Sequence, residues 1–185
     1  MQEKATKITV DCVGFLGLFS NNNEDYAGAI LVTDDQGIPL EFRYTEKVKP
    51  TELQKTLYGK TLLTNIGVSL CGVPLIQAIE TRPNFVLVNN EILLNVRKNS
   101  RFPVIFIKSF SNDNVHSITT DDVIAWENQQ KNQNGQLPLQ YTTFPTYEAE
   151  LAMVKEALAS LSSNFNLFEP FQRIEKALET VAQGK

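Results

Sequence analysis

The sequence predicts an α+β fold, a mixed α/β arrangement of five strands in the order β-β-β-α-β-α-β, followed by a C-terminal helical pair. Three observations lead there. Before residue 46 lie three strand-like segments separated by turn chemistry; "NFVLV" (84–88) and "FPVIFIK" (102–108) are short apolar runs set between helix-forming stretches; and beyond residue 146 two apolar stripes recur at helical spacing.

The first strand is "KITVDCVGFLGLF" (7–19), where Ile8, Val10 and Cys12 alternate with Thr9 and Asp11. "SNNNED" (20–25) is a polar turn. "YAGAILVT" (26–33) is an almost unbroken apolar run of strand length, the signature of a strand covered on both faces. "DDQG" (34–37) supplies hairpin chemistry, with Gly37 free to take positive φ. In the third strand Leu40, Phe42 and Tyr44 alternate with Glu41, Arg43 and Thr45, and Pro39 suits a strand start or an edge.

Pro50 then favours an extended Lys49, and Thr51 with Gln54 three residues on forms a capping box that starts a helix ending near Gly59. Residues 60–81 continue in helical period, with Leu62, Leu63, Ile66 and Leu70 on one side. Gly72 and Pro74 are expected to divide that run. "NEILLNVRKN" (90–99) reads as a short helix or turn. After residue 110 the chain turns polar, with a short helix expected at 121–128 and "LPLQYTTF" extended. Thr146 is placed to cap a helix running to about Leu161, with Leu151, Val154, Leu158 and Leu161 as its stripe. A second helix opens near Pro170 and carries Phe171, Ile174, Leu178 and Val181. The organisation is therefore a core domain at 1–110, a polar and extended segment at 111–145, and amphipathic helices at 146–185 that must cover the core or a partner.

Composition bounds the function. A chain of 185 residues with 42% hydrophobic and 21% charged residues is an ordinary globular one. Cys12 and Cys71 lie in apolar stretches and read as buried thiols rather than a disulfide framework. No apolar run approaches the ~18 residues of a membrane span, and the N-terminus lacks a signal-peptide core, so a cytoplasmic protein without a membrane partner is expected. The net charge is −4. Residues 1–110 carry 12 Lys/Arg against 11 Asp/Glu, whereas residues 111–185 carry 5 against 10, so nucleic acid is not the favoured partner.

The catalytic inventory is thin. One histidine, His116, and two distant cysteines cannot furnish a zinc or iron–sulfur set. No nucleophile elbow, phosphate-binding loop or dinucleotide fingerprint is present, so neither a metal nor a cofactor is called for. Arg97, Lys98 and Arg101, with Lys108 and Phe102, form a basic cluster around the last strand that could meet phosphates, or simply be solvated. Trp126 reads as an anchor for its polar segment.

The element order resembles that of the ribonuclease H-like fold. That resemblance implies carboxylates on the first strand, the first helix and the fourth strand, gathered around two metal ions for phosphoryl hydrolysis. Asp11 and Glu52 stand at two of these places, but Asn89 and Asn90 follow the fourth strand where a carboxylate is wanted. Neutral amides bind Mg²⁺ poorly, so this alternative is a nucleic-acid-binding or processing protein without catalysis.

The stretch "GIPLEFRYTEKVKPTELQKTLYG" (37–59), with "NLFEPFQRIEKAL" near the C-terminus, resembles a bacterial protein family of cyanobacterial and planctomycete type. The signature falls on Gly37, Pro39 to Phe42, Thr45, Val48, Pro50, Thr51, Gln54 and Leu57 to Gly59. The resemblance implies one family unit over most of the chain and brings no activity, cofactor or catalytic residue with it. The leading functional expectation is a non-enzymatic interaction or adaptor protein, a subunit of a larger bacterial assembly that binds protein partners. Glu41, Arg43 and Thr45, on the polar side of an edge strand, are its expected surface.

Overall fold

In the computed structural model, residues 10–21, 24–109 and 139–184 are described. They are organised on a six-stranded sheet in the order β3-β2-β1-β4-β5-β6. Its strands are β1 Cys12–Asn21, β2 Asp25–Asp34, β3 Pro39–Tyr44, β4 Val86–Val88, β5 Val104–Ser109 and β6 Leu139–Thr142. β1, β2 and β3 pair antiparallel, β4 and β5 run parallel to β1, and β6 closes the far edge antiparallel to β5. The mixed sheet and the chain order of its strands and helices through β5 are those the sequence predicts. The sixth strand is the difference: four residues whose Leu139 and Tyr141 pack inward are too short to read as a strand in isolation.

The β2–β3 turn forms as its residues dictate. The Asp34 carboxylate accepts from the N–H groups of Gln36 and Ile38 at 2.9 and 2.8 Å, and Gly37 has φ 81°. Between β3 and β4 come α1 (Glu52–Tyr58), α2 (Leu62–Thr64), a π-helix (Asn65–Gly72) and α3 (Val73–Ala78). The expected break at Gly72 and Pro74 does not occur. Pro74 sits in the first turn of α3, where its missing N–H costs nothing, and the chain passes into α3 through wider π turns. Those turns rotate the buried side, so Ile66, Val68, Cys71, Leu75 and Ile76 face the sheet while Leu70 is exposed. Taken as one run, Glu52–Ala78 is long and apolar enough to cross a membrane by length and composition alone. Here its second half is the cover of the sheet.

Both sheet faces are covered. On one, Leu16, Ile30, Val32, Val86, Val88 and Val104 meet the π-helix, α3 and a 3₁₀ helix, Glu91–Asn99, that joins β4 to β5. On the other, Val13, Phe15, Leu31, Leu87, Ile105 and Ile107 meet α4 (Glu148–Asn164) and α5 (Glu169–Ala182). Val154, Leu158 and Leu161 of the expected stripe are buried, as are Phe171 and Ile174, but Val181 is exposed. Thr146 does not cap α4; it lies in a 3₁₀ turn, Pro145–Tyr147, and the helix begins at Glu148 without a side-chain cap. His116, Trp126 and the helix expected at 121–128 lie outside the described residues.

Candidate functional site

The three carboxylate-pattern positions do not come together. In the β1–β4 ladder Gly14 pairs with Val86, Phe15 with Leu87 and Leu16 with Val88, so Asn89 is level with Gly17. Asp11 precedes Gly17 by six residues, about 20 Å along a strand, at the opposite end of the ladder. There its exposed backbone N–H donates to the Asn84 side chain at 3.0 Å. Glu52 is on α1, its side chain 88% exposed and ion-paired to Lys55. Level with Asn89, a Cβ on Gly17 would meet the ring of Phe19. Among the described residues, no group of three or more His, Cys, Asp or Glu side chains could hold a metal ion. The sequence places Asp11 within the first strand; in the structure it immediately precedes β1, at the end of the ladder away from Asn89.

Glu41 and Arg43, both partly exposed, form a clamp on the neighbouring loop. The Glu41 carboxylate accepts from the Thr81 N–H at 2.7 Å and the Glu80 N–H at 3.1 Å, so β3 holds the loop that follows α3. Arg43 donates through Nε to Glu41 at 2.5 Å and through Nη2 to Glu80 at 2.9 Å. Burial pushes the Glu41 carboxyl up. The Thr81 N–H, the Arg43 guanidinium and the Glu80 N–H outweigh it and hold the group at about 2. Thr45 is likewise engaged: its hydroxyl accepts from the Gly28 N–H at 3.0 Å and lies 3.7 Å from the Cys71 sulfur. Burial raises the thiols of both Cys71 and Cys12, which suits inert core residues.

The basic cluster also divides. Arg97 forms a two-pronged pair with Glu150 at the start of α4, donates to the Ser100 carbonyl at 2.7 Å and lies 4.4 Å over the Tyr147 ring. It therefore ties the C-terminal helices to the core. Lys98 lies 6.0 Å over Phe144, and Arg101 5.4 Å over Phe102; both remain exposed to solvent.

What the sequence did not signal is the orientation of α1. The helix has its complete capping box, Thr51 and Gln54 each bonding the other's backbone, yet it buries no residue. Its apolar side chains point outward: Leu53 is 67% exposed, Leu57 73% and Tyr58 42%. Lys55, on the opposite side, is its least exposed residue. The Glu52 hydrogen bond raises the Lys55 pKa, with the charges of Glu24 and Tyr26 at the start of β2 adding to it. Every residue of the helix except Lys55 is exposed, apolar and polar alike. Gly59, at φ 48°, ends it and turns the chain toward the core. On the open edge, Leu40 and Tyr44 of β3 are also about half exposed, beside the stacked Phe42 ring.

No protein-family model and no curated protein matches the chain. Solved structures that match include Ciona intestinalis endonuclease V bound to a 24mer DNA containing an inosine followed by a ribo-adenosine. It is 20% identical, with a TM-score of 0.39, over 64% of this chain and 55% of that one. A variant of the same enzyme with a 23mer DNA matches at 17% identity and a TM-score of 0.40 over the same shares. Marinitoga piezophila Argonaute with a 5′ OH guide RNA matches at 13% identity and a TM-score of 0.30, over 60% of this chain and 18% of that chain. The chain thus spans about half the length of the endonuclease V chains it matches.

Proposed function

We propose that this chain is a non-enzymatic interaction protein, a protein-binding subunit of a larger assembly carried on a ribonuclease H-like sheet. The observation that carries the reading is the set of uncovered apolar side chains on α1, Leu53, Leu57 and Tyr58. α1 opens the continuous helical run Glu52–Ala78 and, unlike the second half of that run, buries no residue. Turning Leu53, Leu57 and Tyr58 outward leaves its apolar side uncovered, an arrangement that favours a helix completed by another molecule. The placement of Asp11 at the far end of the ladder from Asn89, and of Glu52 in an exposed ion pair, supports the non-enzymatic reading.

The test is a cleavage assay of the full chain with Mg²⁺ and Mn²⁺ on single- and double-stranded DNA and RNA, run beside thermal melts. The expected result is no cleavage and no metal-dependent rise in melting temperature. Metal-dependent cleavage that disappears in Asp11→Asn would overturn the non-enzymatic reading.

A further inference from the structure

Independently of the reading of α1, we infer that two copies of this chain join through β3. The strands pair antiparallel about a twofold axis at Phe42, so that the two sheets run on into one another. β3 is the last strand of its sheet, and among the described residues no strand lies beyond it.

The pairing with β2 fixes which backbone groups face outward. Residues 41 to 44 are in unbroken register, and the Thr45 N–H donates to the Gly28 carbonyl at 2.9 Å. Hydrogen-bonding direction alternates along a strand. Arg43 and Glu41 therefore turn their N–H and C=O groups to β2, while Tyr44, Phe42 and, next in the alternation, Leu40 turn theirs away. Pro39, at the start of the strand, has no N–H and marks where a further ladder ends. An open row of this kind is a template for another strand.

The side chains select a copy of the same strand. Centred on Phe42, antiparallel pairing sets Leu40 of each chain opposite Tyr44 of the other in hydrogen-bonded pairs. It sets Glu41 of each chain opposite Arg43 of the other in the closer, non-hydrogen-bonded pairs. Moving the centre by one residue brings two Arg43 or two Glu41 side chains face to face, and parallel pairing in register does both. Arg43 engages Glu41 through Nε and Glu80 through Nη2, and its side chain is still 37% exposed, so N–H groups remain for a second carboxylate.

On the other side of the strand Leu40 is 52% and Tyr44 47% exposed, flanking Phe42, whose ring stacks on Tyr44 at 5.7 Å. Pairing covers both with apolar neighbours and continues that row across the axis. A second copy thus matches the charged row and the apolar row by symmetry alone. Six residues a side place the contact at the low end of specific interfaces, under about 1,200 Å². The dimer therefore exchanges with monomer, and its share rises with concentration.

The experiment follows sedimentation of the full chain from micromolar to millimolar concentration, with Leu40→Lys/Tyr44→Lys and Leu40→Lys/Tyr44→Glu as variants. Both positions are about half exposed, so thermal melts should keep the variants within a few degrees of wild type. Wild type is expected to pass from monomer to dimer. The first variant sets like charges opposite each other across the axis and should weaken association at least tenfold. The second sets opposite charges at the same pairs and should associate at least fivefold more strongly than the first. A wild type that stays monomeric throughout, or that builds species beyond a dimer, overturns the proposal. So does a dimer indifferent to the first variant, or one that the second fails to restore. Amide exchange of wild type reads the same contact without any substitution. The Phe42 and Tyr44 N–H groups should exchange at least fivefold more slowly at the highest concentration than at the lowest, and rates independent of concentration would overturn the edge pairing.

Discussion

Glu41 on the edge strand and Thr81, forty residues on, are joined by a 2.7 Å hydrogen bond from the Thr81 backbone N–H to the Glu41 carboxylate. The Glu80 N–H and the Arg43 guanidinium converge on the same carboxylate. One side chain thus fixes the end of the α3 cover to the open edge of the sheet. Glu41→Gln is expected to lower stability by about 1–3 kcal/mol, since it trades charge-accepting bonds for neutral ones. A thermal or urea melt of the variant checks this.

The same carboxylate gives a pH dependence of known sign. Its folded pKa, about 2, lies below the ordinary value of 4.5. The stability it contributes is therefore fully present above pH 4.5 and lost as pH falls from there toward 2. Melts of wild type and Glu41→Gln at successive pH values should differ most near neutrality and converge toward pH 2. A gap between the two that stays constant on acidification would show that Glu41 is not held in this way.

Gly28 of β2 lies against the π-helix so closely that an added Cβ would stand 2.5 Å from the Cys71 Cβ. Gly28→Ala is expected to cost about 1–3 kcal/mol through displacement of packed backbone. Gly59→Ala meets nothing within 4 Å, and its cost is the backbone strain of φ 48° and ψ −126°, about 1–3 kcal/mol. Chemical denaturation of the two variants separates contact from conformation. Only Gly28→Ala should also change the exposure of Cys71 to a thiol reagent.

Leu158 is fully buried on the second face of the sheet. Leu158→Ala is expected to cost about 2–5 kcal/mol, the range of a core leucine. Equilibrium unfolding of the full chain measures it. A change under about 0.5 kcal/mol would mean that α4 does not cover the sheet in solution.

The strands were legible because period and punctuation agree. The unbroken run in β2 announces burial on both faces, and the Asp34–Gly37 turn fixes the hairpin. Two kinds of information were not legible. Register was one: Asp11 falls just before β1, which begins at Cys12, and pairing places Gly17, not Asp11, beside Asn89. Long-range partners were the other. Glu41, Arg43 and Thr45 alternate as a solvated face would, and their commitments to Thr81, Glu80 and Gly28 are made by distant backbone groups that carry no sequence signal. Arg97 is similar, since its mate Glu150 lies in the C-terminal helices. The π-helix was missed because Gly72 and Pro74 carry the ordinary marks of a helix break.

The most direct measurement compares two double variants for melting temperature and for recovery of the native partner from the source cell, quantified by mass spectrometry. Glu41→Ala with Arg43→Ala removes the clamp between β3 and the loop after α3, and Leu53→Ser with Leu57→Ser removes the exposed leucines of α1. An interaction protein that docks through α1 predicts a melting temperature several degrees lower in the first pair, with partner recovery kept. It predicts an almost unchanged melting temperature in the second pair, with recovery lost. The reverse pattern, or full recovery from the Leu53/Leu57 pair, would contradict it.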